Sequence, residues 1–252
     1  MALFKSGNPV FMKDVFADQG TQVSGESMQG TMTMSGTMIK TVILFVLLLI
    51  PAVLVWSVWR QYQDLVLPVL IGASILGFVL SLVIIFVKTT APYLSPIYAI
   101  AEGVVLGTLS ALIEKAYPGI VINAVMITMA IFAAMLLIYT TGLIKVTGGV
   151  RTAIIAATGG VALLYGVNLL MRAFGGAGFG FIHDSGPLGI AVSVVICAIA
   201  AFNLLLDFEF ISQGSRSGAP KYLEWYGAFG LMVTLIWLYL EILRLLAKLR
   251  NR

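Results

Sequence analysis

Long runs of apolar residues alternate along the chain with short polar or glycine-rich breaks. A hydrocarbon core about 30 Å thick is crossed by about 20 residues of helix, each rising about 1.5 Å. Runs of that length fall at 40–59, 66–87, 93–113, 119–144, 150–173, 187–211 and 222–247, so seven transmembrane helices are expected. The breaks carry boundary chemistry. Arg60 to Asp64 lies beside Trp56, Trp59 and Tyr62, the mixture of charge and aromatic ring found where a helix meets headgroups. Lys88 to Pro92 closes the second run, and Pro96 stands near the start of the third, where early helical N–H groups lack partners anyway. Residues 116–144 hold no charge, so the fourth helix is expected to face lipid or to pack without a polar role. Gly103 and Gly107, four apart, form a small-xxx-small pair that should let another helix of the same chain come close.

Composition agrees with that pattern. Of 252 residues, 60% are hydrophobic and 10% charged, against about 45–50% and 25% in a soluble domain. The expected division is a polar tail over 1–39, a seven-helix membrane domain over 40–248 and a basic end over 249–252. The tail carries Lys5, Lys13, Asp14, Asp18 and Glu26 with no short apolar core behind a basic start. It reads as mobile and as lacking a cleavable signal. The net charge of +4 owes most to Arg244, Lys248, Arg250 and Arg252, a cluster suited to anionic headgroups. With the N-terminus cytoplasmic, the loops on that side hold Lys88, Lys145, Arg151, Arg216 and Lys221, against Arg60, Lys115 and Arg172 opposite. The positive-inside rule therefore favours an internal N-terminus, although the basic C-terminal end points the other way, so either that end lies outside or one segment is re-entrant.

Several chemistries are trimmed by what is missing. Cys197 and His183 are the sole cysteine and histidine, which leaves no disulfide and no multi-cysteine or paired-histidine metal site. No Gly-x-Ser-x-Gly elbow occurs, and the Gly-rich stretch 175–180 follows a membrane helix rather than a strand, so it reads as a loop. No enzyme activity, cofactor or nucleic-acid partner is expected. What remains is acid inside hydrocarbon, where an ionised group costs about 2.5–3.5 kcal/mol on insertion scales and marks function by default. Glu102 sits in the third span, Asp207 and Glu209 follow the apolar run of the sixth, and Glu241 lies in the last. Arg244, one turn beyond Glu241, offers a purely structural ion pair. For Asp207 and Glu209 the competing reading is a helix end already among headgroups. Carboxylates gathered in low dielectric can share a proton, and their ionised oxygens suit hard cations such as calcium. A proton-switched cation path is the chemistry these residues support.

Three patches resemble the Bax inhibitor-1/YccA family, or transmembrane Bax inhibitor motif family, in its bacterial branch. They are Pro96-Ile-Tyr-Ala-Ile-Ala-Glu-Gly-Val-Val-Leu-Gly, Ala201-Phe-Asn-Leu-Leu-Leu-Asp-Phe-Glu-Phe-Ile and Trp237-Leu-Tyr-Leu-Glu-Ile-Leu-Arg-Leu-Leu, with Ser6-Gly-Asn-Pro-Val-Phe similar to a short opening motif. The resemblance implies an all-α membrane protein, a seven-helix bundle whose last helix is enclosed by the others, in the bacterial cytoplasmic membrane. It also implies a pH-dependent calcium leak controlled by paired acids on helices six and seven. Those positions fall on Asp207 and Glu241. The leading expectation is therefore a cation leak with Asp207 and Glu241 as sensor and gate and, from its place in the third span, Glu102 lining the ion path. Other members inhibit a membrane protease or act in stress survival, so the alternative is a non-conducting regulator with such a partner. Membrane lipid and calcium ions or protons are the remaining partners expected. If helix six stops near Ile211 and helix seven starts at Tyr222, Asp207 and Glu241 lie about 6 Å and nearly 30 Å from their shared turn. Glu224 would then match Asp207 in depth. The pair survives if helix six continues further or if the last span starts late, with Pro220 to Gly230 lying at the interface, and the second arrangement is the one expected.

Overall fold

The computed structural model describes residues 30–58, 61, 63–180 and 184–251. The tail before residue 30, and the mobility expected of it, lie outside the described residues. Seven helices follow: α1 (Met34–Val58), α2 (Gln63–Phe86), α3 (Ala91–Ala116), α4 (Ile120–Thr141), α5 (Gly148–Ala173), α6 (Pro187–Arg216) and α7 (Leu223–Arg250), with a 3-10 turn over Lys88–Thr90 before α3. All seven are long and apolar enough to cross a bilayer. Hydrocarbon offers no partner to a backbone N–H or C=O, so helices that close their own bonds are what such runs must form. Buried threonines follow the same rule. Thr41 donates its hydroxyl to the Thr37 carbonyl at 2.9 Å and Thr128 to that of Ala124 at 2.7 Å.

Among the boundaries that differ from the sequence reading, three bear on the sites. Residues 34–39 belong to α1 rather than to the tail, because Thr33 and Lys40 both bond Glu224 and the polar first turn is held by protein. Helix α6 continues to Arg216, five residues past the expected end. The late start of the last span is overturned. Helix α7 begins at Leu223, and Leu223, Glu224, Tyr226, Phe229 and Met232 are all buried, so this stretch is packed inside protein and does not lie on a membrane surface. Of the seven helices, α7 has the largest buried share.

The described chain divides into two compact units, one of residues 30–116 and 209–232, the other of 117–208 and 233–251. In the first unit the glycine pair acts as expected. A Cβ on Gly103 would overlap the Leu48 carbonyl oxygen, and one on Gly107 would stand 2.5 Å from that of Ala52, so α3 lies backbone to backbone on α1. Tyr98 of α3 meets Phe229 of α7 edge to face at 4.9 Å. The segment before α1 is fastened to the α6–α7 turn, with Met32 N–H donating to the Ala219 carbonyl at 2.7 Å and Thr31 bridged to Pro220. In the second unit Phe208 packs between the rings of Phe132 and Tyr139, at 5.8 and 5.7 Å. The end of α7 is tied down by polar bonds. Lys248 Nζ donates to the Gly189 carbonyl and Ser193 Oγ at 2.9 and 2.8 Å, and Arg250 donates to the Pro118 carbonyl at 2.9 Å.

Candidate functional site

Glu241 is buried on α7 in the second unit, and its two oxygens are the focus of a polar knot. Tyr165 of α5 donates its hydroxyl to them at 3.0 and 3.1 Å, Arg244 donates from Nη1 at 3.0 and 2.9 Å, and Trp237 Nε1 adds a bond at 3.2 Å. Arg244 and Trp237 share a face with Glu241 because they lie three and four residues from it on one helix. Arg244 also donates to the Tyr165 hydroxyl, and its guanidinium lies 5.1 Å from the Tyr165 ring centre, a cation–π contact. The carboxylate keeps 2% of its exposure while Arg244 keeps 39%. The knot therefore joins a buried anion to a cation that reaches outward.

Asp207 is wholly buried on α6, in the same unit as Glu241. One turn earlier, Asn203 donates to Thr158 Oγ1 of α5 at 2.7 Å, which sets the register of α5 against α6. These helices are consecutive spans and run antiparallel, so Asp207 falls about one turn before Thr158, level with Ile154. Glu241 is at Tyr165, two turns the other way. The offset is about 16 Å along α5. The α6–α7 hairpin gives a similar answer: Asp207 is nine residues from the end of α6 and Glu241 eighteen from the start of α7, a difference of about 13 Å. The extra length of α6 narrows the expected gap without closing it. Asp207 and Glu241 are thus placed in one unit but at different depths.

Glu224, Glu102 and Glu209 belong to the first unit. Glu224, in the first turn of α7, accepts from Thr33 N–H and Thr33 Oγ1, both at 2.9 Å, and forms an ion pair with Lys40 of α1. Gly36 leaves room for it, since a Cβ there would enter the carboxyl group. Glu102 of α3 is half-buried against Gly77 of α2, and its polar partner is the Tyr98 hydroxyl one turn below. Glu209 is bonded by Gln213, one turn on, and lies well inside α6 rather than at a helix end. Among the described residues no group of three or more His, Cys, Asp or Glu is placed to hold a metal ion.

A family model described as Bax inhibitor 1 like matches residues 8–251. The chain belongs to this family. No match is found among the curated proteins or the solved structures. Membership of the Bax inhibitor 1 like family, together with seven apolar helices, makes the chain an integral, multi-pass, all-α membrane protein. Within this Bax inhibitor 1 like protein the sequence reading reached Asp207, Glu241, Arg244 and Glu102 but missed Tyr165, Thr33 and Lys40. Tyr165 gave no local signal, being an aromatic in an apolar run. Lys40 did give one, because a lysine beside Met38 and Ile39 and ahead of Thr41 and Val42 needs an acid once the helix is known to start at Met34.

Proposed function

We propose that this membrane protein is a proton-sensitive leak pathway for cations, calcium foremost, in the bacterial cytoplasmic membrane. Asp207 is its buried sensor and Glu241 its gate, and no catalytic chemistry is involved. The observation that carries the reading is the Glu241–Tyr165–Arg244 knot. Protonation of Glu241 removes the charge that pairs with Arg244. Arg244 lies six residues, about 9 Å, before the end of α7, close enough for its guanidinium to snorkel toward headgroups once released. Acid therefore opens the gate. Because Asp207 and Glu241 lie at different depths, they act in series and do not share one proton.

The test is flux into liposomes holding the purified protein. Calcium or proton flux that rises as pH falls between about 8 and 5 is the expected result. Absence of flux across that span sinks the leak. Absence of flux together with capture of a membrane protease through residues 1–39 establishes instead a non-conducting regulator.

A further inference from the structure

We propose that Glu102 is a proton-binding carboxylic acid at the centre of the bilayer, reached from lipid through the seam between α2 and α3 and open there to modification by carbodiimides that dissolve in hydrocarbon. Glu102 was expected to line the ion path, but this inference is read from a covalent adduct and not from flux, so it can fail or hold independently of the leak. Glu102 lies eleven residues into α3, about 16 Å from one end and 21 Å from the other. That is the depth at which charge is least tolerated.

The seam has a specific shape. A Cβ on Gly77 would stand 2.8 Å from Glu102 Oε1, so the carboxyl group occupies the space that a side chain on α2 would otherwise take. Around Gly77, Ile75, Leu76, Phe78 and Val79 of α2 are all exposed, and Glu102 itself keeps part of its surface. On a membrane helix this exposed surface is the one that meets acyl chains.

No counter-ion accompanies the acid. Among the described residues Glu102 joins no ion pair, and the Tyr98 hydroxyl one turn away is a polar partner. Of the elements packed about it, α2 has no titratable residue from Leu65 to Phe86, and α1 has Lys40 alone, which Glu224 engages. On α3 itself the nearest charges are Glu114 and Lys115, about three turns away, and Lys88 of the 3-10 turn lies fourteen residues before Glu102; α7 meets Tyr98 through Phe229 and carries Tyr226 and the Lys40-paired Glu224 in that stretch. A lone carboxylate in hydrocarbon has nothing to compensate its lost hydration, so the acid form is the one this site holds.

That form has a distinctive reaction. The acid O–H adds across one C=N bond of a carbodiimide: a carboxyl C–O–C bond forms, the proton goes to nitrogen, and the resulting O-acylisourea rearranges by oxygen-to-nitrogen acyl shift to a stable N-acylurea. Nothing leaves and nothing is oxidised. The full-length protein in liposomes is treated with dicyclohexylcarbodiimide or with a water-soluble carbodiimide, and adducts are mapped by mass spectrometry of peptides. The expected result is an adduct on Glu102 from the lipid-soluble reagent only, forming more slowly as pH rises. The adduct is lost in Glu102→Gln and reduced in Gly77→Val, whose side chain fills the seam. Absence of an adduct at Glu102, equal modification by the water-soluble reagent, or a rate indifferent to pH would each overturn the proposal. Mapping on the unaltered protein decides the matter even where a variant folds poorly.

Discussion

At position 103 a hydrogen in place of a methyl group decides how closely two spans approach. Gly103→Ala drives a Cβ into the Leu48 carbonyl, and overpacking of this kind costs about 1–3 kcal/mol. Gly159→Ala on α5 meets no atom within 4 Å and should be neutral or gain up to about 1 kcal/mol from helix propensity. Thermal unfolding in one detergent should separate the two variants by several degrees, at about 2–4 °C per kcal/mol for a chain of this length. The carboxylates yield a second prediction at this scale. Sites more than about 7–10 Å apart without shared partners combine within about 0.5 kcal/mol, so Asp207→Asn and Glu241→Gln should shift the pH dependence of flux additively. Strong non-additivity would show a shared proton and a closer approach than their register allows. The glycine pair and the Glu241–Arg244 spacing were legible because each is written within one turn of one helix. Tyr165 was not, since it lies 76 positions from Glu241 and only the packing of α5 on α7 brings its hydroxyl there.

Among the elements, α7 owes its first turn to a segment from the far end of the chain. Thr33 and Lys40 satisfy Glu224, and Gly36 makes room for it. The carboxylate also sits at a helix N-terminus, where backbone N–H groups favour negative charge. Removing one partner of a buried ion pair costs about 3–5 kcal/mol because the other charge is stranded, and the lower end applies here since Lys40 keeps 15% of its side-chain exposure. Glu224→Ala and Lys40→Met should each destabilise the protein, and the double variant by clearly less than their sum. An additive double variant, measured by thermal unfolding, would show that the pair does not interact. The number of spans could be read from hydropathy because bilayer thickness fixes run length. The true starts of α1 and α7 could not, because Thr33, Lys40 and Glu224 look like headgroup residues when each segment is read alone and become interior residues only when paired.

For the whole molecule, seven crossings impose a parity. Met32 is bonded to Ala219, so the chain returns to its starting side after six spans, and α7, 28 residues and about 42 Å long, carries the C-terminus across. In a Cys197→Ala background, Ser217→Cys and Asn251→Cys should react with a membrane-impermeant maleimide from opposite faces of the membrane. Labelling from the same face would require one helix to be re-entrant. The pairing of Lys40 with Glu224 also has a meaning in time. The two residues are 184 positions apart, and a ribosome adding about 5–20 residues per second takes roughly 10–40 s to pass from one to the other. Throughout that interval the nascent protein holds a lysine in its first span with no acid to meet it. A chain that stalls before the last helix therefore carries a first span whose lysine has not yet met its native partner.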